Sequence, residues 1–285
     1  MRAAALWLSL GLAGCVGTPS PLAPALSGSI GVPHSGVQSD AVELAPKGDG
    51  FLRYRPKGPN YWGNPRLVRA IEQASGLVSR ELPGGAPLVI GDLSARYGGQ
   101  IPGHHSHRTG RDADLLWYVT TTSGAPVMSP GLVKMESDGL GRIYGGDQDG
   151  KYLRLDVERQ WLLFRTLIEN ASVQFLFVSR DVEALLVDYA LARGEPLELV
   201  WHAETVMLQP GDSAPHDDHA HLRIACTPEE AVRGCEGGGP YWEWLSTLPE
   251  LAPLDESTLN AIAVDDPFEL DQPVAAETHA QGDGA

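Results

Sequence analysis

In the segment His219-Ala220-His221-Leu222-Arg223-Ile224-Ala225-Cys226 every even-numbered residue is apolar. Side chains along a β-strand point to opposite faces in turn. This spelling therefore predicts a strand with Ala220, Leu222, Ile224 and Cys226 against a core and His219, His221 and Arg223 on the other face. At a rise of about 3.3 Å per residue the Cα atoms of His219 and His221 lie about 6.6 Å apart, so both imidazoles can converge on a small ion or its bound water. His216 stands three residues upstream in the polar approach Ala214-Pro215-His216-Asp217-Asp218.

Six of the nine histidines fall in two groups, and the other group is His104, His105 and His107. It opens the segment Gly103-His104-His105-Ser106-His107-Arg108-Thr109-Gly110-Arg111-Asp112-Ala113-Asp114. Here Ala113, Leu115, Trp117 and Val119 read as core-facing strand positions, with Asp112 and Asp114 on the opposite face. Gly110 permits a turn that folds His107 back towards Asp114. A histidine, a carboxylate and a second histidine on separate segments supply the nitrogen and oxygen donors of a zinc ion that keeps one position open for water. The cation acidifies that water, which becomes a hydroxide nucleophile near neutral pH, the chemistry of hydrolysis. One such histidine alone reads as an ordinary surface or hydrogen-bonded residue; six in two groups flanked by aspartates favour a metal site. Rival hydrolytic signatures are absent: there is no G-x-S-x-G, no S-x-x-K and no H-E-x-x-H.

Organisation along the 285 residues is equally uneven. Arg2 precedes the apolar run Ala3 to Leu12, which reads with Ala13 and Gly14 as a short export signal over residues 1–14. Leu12-Ala13-Gly14-Cys15 resembles the bacterial lipobox, so Cys15 is expected to carry acyl chains and to be the chain's only link to a membrane. Val16 after it resembles lipoproteins sorted to the outer membrane. Residues 15–49, rich in Pro, Gly, Ser and Ala, are expected to form a flexible tether. Residues 50–245 read as one domain. Residues 246–285 hold nine acidic residues and no Lys or Arg, and are expected to be a disordered tail. A formal charge of −16 excludes a nucleic-acid partner, which would require a surplus of cations. Cys226 and Cys235 remain as an even pair in an exported chain; without a C-x-x-C spacing, a disulfide is favoured over a metal pair.

Asn64 and Pro65 predict a helix start followed by Leu67, Val68, Ile71 and Val78. Asp156 predicts a second start, with Val157, Trp161, Phe164, Leu167 and Ile168 along one side. A third helix is expected from about Asp181 to a stop at Gly194. Strands are expected at 88–90, 113–119, 173–178 and 220–225. Helices and strands mingle without regular βαβ alternation, which places the chain in the α+β class.

The combination of Gly103 to Gly110, Asp112 and Asp114, Val173 to Ser179, and His216-Asp217-Asp218-His219-Ala220-His221-Leu222-Arg223 with Cys226 resembles the zinc peptidases of the lysostaphin, D-Ala-D-Ala peptidase and hedgehog type. Within that group it is most similar to the penicillin-insensitive murein endopeptidases, over roughly Tyr61 to Cys235. The resemblance implies a small antiparallel sheet flanked by helices and Zn2+ held by His107, Asp114 and His221, with His104 as an additional ligand. It implies His219 as the oxyanion donor, and leaves His216 as the group that accepts the proton of water. The substrate implied is peptidoglycan, cut at D-alanyl to meso-diaminopimelyl cross-links in the periplasm. A further Asp and His pair of the family is only half kept, since Asp149-Gly150-Lys151-Tyr152 has Tyr where the His would stand.

Two rival readings accompany this one: a D,D-carboxypeptidase or dipeptidase on the same scaffold, and a cell-wall-binding lipoprotein that keeps zinc without turnover. Retention of both His216 and His219 argues against the second. Trp201 and His202 either line the cleft or pack inside. Tyr241, Trp242 and Trp244 are expected to cover the core edge. The sequence leaves a homodimer open.

Overall fold

The computed structural model describes residues 26–143, 149–211, 213–239 and 242–248. Its first part comprises β1 (Ser29–Val32), β2 (Ser35–Gln38), β3 (Val42–Glu43), β4 (Lys47–Gly48), β5 (Phe51–Arg53), β6 (Trp62–Gly63), α1 (Pro65–Glu81) and β7 (Leu88–Ile90). β8 (Asp112–Leu115), β9 (Val119–Thr121), β10 (Pro126–Val127), β11 (Leu140–Arg142) and β12 (Tyr152–Leu155) follow. The remainder is α2 (Val157–Asn170), β13 (Val173–Phe177), α3 (Arg180–Arg193), α4 (Leu197–Val206), β14 (Met207–Leu208), β15 (Ala220–Ile224) and α5 (Pro228–Val232).

The helix starts follow their caps. The Asn64 side chain accepts from the Arg66 amide with Pro65 in the first turn, and Asp156 accepts from Arg159. Ser179 caps α3, and Gly194 ends it in the left-handed conformation. Two helices have no counterpart in the sequence reading. α4 begins after Pro196 with no side-chain cap. α5 carries a capping box between Thr227 and Glu230, a signal that was present in Thr227-Pro228-Glu229-Glu230.

The class is α+β. A seven-stranded sheet runs β14-β13-β15-β8-β7-β5-β4, beside a four-stranded sheet β10-β9-β12-β11. Each adjacent pair in β13-β15-β8-β7 is antiparallel, as expected of a small antiparallel sheet. The full sheet is larger and mixed, because β14 joins β13 and β5 joins β7 in parallel. Parallel neighbours require a crossover, supplied by α3 and α4 on one side and by α1 on the other. β5 and β14 are three and two residues long, too short to show a period in sequence. The strand expected over 113–119 divides between the two sheets as β8 and β9.

The alternation in β15 is realised: Ala220, Leu222 and Ile224 are fully buried in the core, opposite Ala113 and Leu115 of β8. Cys226 and Cys235 form the expected disulfide, with Cα atoms 6.0 Å apart, and α5 lies between them.

The tether boundary at residue 49 is corrected. Residues 29–38 form the β1–β2 hairpin, and Ile30 and Leu44 are fully buried. The small residues that resemble a linker permit close docking instead. Gly31 exchanges backbone hydrogen bonds with Gly234 and Glu236, and a Cβ on Gly36 would strike Thr109. Residues 1–25 and 249–285, which include the expected signal, the lipidated Cys15 and most of the acidic tail, lie outside the described residues. Among the described residues no helix is long and apolar enough to cross a membrane.

Candidate metal centre

Strand register builds the centre. In the antiparallel pair β8 and β15, His221 stands opposite Asp114 and Arg223 opposite Asp112. Both polar pairs share one face because side chains alternate on both strands. His107 arrives from the loop before β8, where Gly110 has φ 73° and a Cβ would collide with the Gln38 side chain. His107 itself adopts φ 68°, a conformation uncommon for a residue with a side chain. Ser94 holds it by donating to the His107 carbonyl, and the ring Nδ1 faces the carbonyl of Leu93. That contact directs Nε2 to Asp114.

Asp114 is the hub. Its Oδ1 lies 3.2 Å from His107 Nε2, 3.4 Å from His219 Nε2 and 3.4 Å from His221 Nδ1. Its Oδ2 lies 3.7 Å from Nδ1 of His104, whose Nε2 is 3.3 Å from Asp92. One ligand atom from each of His104, His107 and Asp114 lies within 4.8 Å of the others. His107 Nε2 and Asp114 Oδ1 are buried without a hydrogen-bond partner of good geometry. Buried polar atoms are seldom left so, and two facing ligand atoms in that state fit a metal ion between them.

The charges agree. Burial alone would raise the Asp114 carboxyl, but the His107 charge foremost, with the neighbouring His219, holds it well below the ordinary carboxylate range. Burial opposes protonation of His107, and Asp114 outweighs it, so its pKa rises. At His219 burial is likewise outweighed by the neighbouring carboxylates of Asp114 and Asp218, which push it up to about 10. Protons on these rings supply the positive charge the carboxylates require, and a divalent cation supplies the same compensation without them. His216 behaves oppositely: burial, then the neighbouring His221 and His219, push it down to about 4. It is neutral at pH 7 and can accept a proton.

His216 sits at the centre's edge with φ 55°, its ring centroid 5.2 Å from His219 and 5.6 Å from His221. The centre opens into a cleft of about 880 Å³ whose other walls include Tyr54, Arg55, His105, Leu132 and Phe177. Thus His104, His107, Asp114, His216, His219 and His221 all meet at one place. Trp201 and His202 do not line the cleft; they pack against Trp244, which stacks with Trp242 at the core edge. Tyr241 lies outside the described residues. Asp149 and Tyr152 are likewise absent from the cleft lining.

Strand alternation puts Asp112 on the right face but gives it no partner. Its Oδ1 lies 2.7 Å from His221 Nε2 and accepts from Arg223 Nε at 2.6 Å. Asp92, 3.3 Å from His104 Nε2, has no signal of its own in the sequence. It follows β7, where only the short run Leu88–Ile90 showed a signal, and its role appears once that strand lies beside β8.

Comparison with known proteins points to one family. A family model described as penicillin-insensitive murein endopeptidase matches residues 29–241. Similar proteins of that name include one of Haemophilus influenzae, 27% identical over 231 residues, or 78% of this chain and 71% of the relative. Another, of Klebsiella pneumoniae, is 31% identical over 222 residues, covering 74% and 70% of the two chains. A third, of Salmonella heidelberg, is 26% identical over 222 residues, covering 75% and 71%.

Proposed function

This chain belongs to the penicillin-insensitive murein endopeptidase family, and from that premise we propose that it is a zinc-dependent enzyme that hydrolyses the D-alanyl to meso-diaminopimelyl cross-links of peptidoglycan. The observation that carries the metal part is that His107 Nε2 and Asp114 Oδ1 face each other at 3.2 Å, buried and without a hydrogen bond, at the floor of an open cleft.

His107, Asp114 and His221 would hold the ion, with His104 beside them. When bound, zinc supplies a Lewis acid that polarises a carbonyl and acidifies water. The residues of the chain do the rest. His219, whose Nδ1 lies 2.6 Å from Asp218 Oδ1, donates through Nε2 to the oxygen on which charge develops as the peptide carbon becomes tetrahedral. His216, neutral near pH 7, accepts the proton of water and returns it to the leaving amine. Its Nδ1 faces the Ala214 carbonyl at 2.8 Å, which leaves Nε2 to carry that proton.

A murein substrate places the enzyme in the periplasm. An export signal over residues 1–14 and a lipid on Cys15 that anchors the protein to the outer membrane complete this reading; the Leu12-Ala13-Gly14-Cys15 spelling supports them. The central antiparallel strands carrying the centre favour kinship with the hedgehog and D,D-peptidase folds. The test is digestion of purified cross-linked muropeptide dimers, with products identified by mass spectrometry. Monomers ending in D-alanine are expected. Release of only terminal D-alanine, with dimers intact, would overturn the endopeptidase reading in favour of a carboxypeptidase.

A further inference from the structure

We propose that Asp112 is a positioning residue that selects which nitrogen of His221 faces the metal, by holding the other. This rests on the zinc reading above and concerns a residue to which that reading gives no role. Asp112 is fully buried one pleat away from Asp114, and Oδ1 contacts both His221 Nε2 and Arg223 Nε. A carboxylate that already accepts from a guanidinium can only accept from the imidazole, so Nε2 carries the hydrogen. The ring's other nitrogen, Nδ1, is then bare, and it is the atom that lies 3.4 Å from Asp114 Oδ1.

The strand pairing explains why one residue can do this. Asp112 is opposite Arg223 and diagonal to His221, so a single carboxylate spans two consecutive inward side chains of β15. Arg223 in turn lies with its guanidinium carbon 5.5 Å above the Phe177 ring, which fixes the side chain that anchors Asp112. His107 shows the same device with a different acceptor: its Nδ1 faces the Leu93 carbonyl, and its Nε2 faces Asp114. The two ligand rings therefore present different nitrogens to one carboxylate, each fixed by an acceptor behind it. Partners behind a metal's ligands raise ligand basicity and orient the ring, and their loss weakens metal binding about 10- to 100-fold.

Two measurements on the full chain test this. Long-range proton–nitrogen correlation spectra of the zinc-free protein at mildly alkaline pH report the tautomer of each histidine, and His221 is expected to carry its hydrogen on Nε2. A His221 with its hydrogen on Nδ1 would overturn the assignment without recourse to any variant. Zinc affinity is then read by competition with a chromophoric chelator. The double variant Asp112→Ala/Arg223→Met, which removes both buried charges together and so spares the fold an unpaired ion, is expected to bind zinc about 10- to 100-fold more weakly. Asp112→Asn, which keeps an acceptor oxygen, is expected to lose less. Equal zinc affinity in the unaltered protein and the double variant overturns the role of Asp112 and leaves the zinc reading standing. Failure of the unaltered protein to bind zinc overturns both.

Discussion

Asp114 and His221 face each other across the β8–β15 ladder, and His221 Nδ1 lies 3.4 Å from Asp114 Oδ1. Neither position can move without moving a strand of the central sheet, so the centre is as rigid as the core beneath it. Asp114→Asn keeps the shape and removes the charge around which four imidazoles gather. Zinc at about 100 times its Kd should stabilise the unaltered protein by about 2.7 kcal/mol. A thermal melt of Asp114→Asn with and without zinc is expected to show no such shift.

The two histidines to which the proposed mechanism gives no ligand role separate by kinetics. If His219 is the donor to the developing oxyanion, His219→Ala is expected to lower kcat about 10²- to 10³-fold. If His216 is the proton acceptor, His216→Ala is expected to lower it about 10²- to 10⁴-fold. Both variants should retain zinc by metal analysis. Loss of zinc in His216→Ala would move that residue from proton transfer to ligation.

How much of this was legible follows from where the information lay. Period-two spelling placed His219, His221 and Arg223 on one face of β15, and Asp112 with Asp114 on one face of β8, because both strands have one apolar side. Asn64 and Asp156 marked their helices through local capping chemistry. The pairing of Asp112 with His221 depends on register between residues far apart in sequence, which alternation alone does not specify. The β1–β2 hairpin resembles a tether in sequence because Gly31 and Gly36 signal flexibility locally, while their use in close docking is a tertiary fact. Asp92 belongs to the same class, invisible until β7 and β8 are neighbours.

The Cys226–Cys235 disulfide closes a short loop around α5, whose neighbour Gly234 pairs with Gly31 of the hairpin. A loop of this size is worth about 2–3 kcal/mol in the chain-entropy account. Replacing both cysteines by serine is expected to lower Tm by about 5–10 °C in a calorimetric scan.

Glu230 gives the acid limb of stability a specific origin. Its carboxylate accepts from Arg66 Nε at 3.0 Å, Asn64 Nδ2 at 2.8 Å and the Thr227 amide at 2.9 Å. Burial would raise its pKa, but these partners, Arg66 foremost, hold it below the ordinary 4.5. The unfolded chain thus takes up the proton first. The stabilisation is complete above 4.5 and is lost as pH falls through the folded value. Urea unfolding of Glu230→Gln should show a loss of about 1–3 kcal/mol at pH 7 that narrows towards zero in acid.

The central claim is that hydrolysis of murein by this chain depends on a metal held at Asp114. The most direct measurement follows cross-linked muropeptide dimers through three stages: untreated protein, protein stripped with a chelator, and stripped protein given zinc. Cleavage is predicted to stop on stripping and return with zinc, and Asp114→Asn should remain inactive throughout. Undiminished cleavage by the stripped protein would contradict the account.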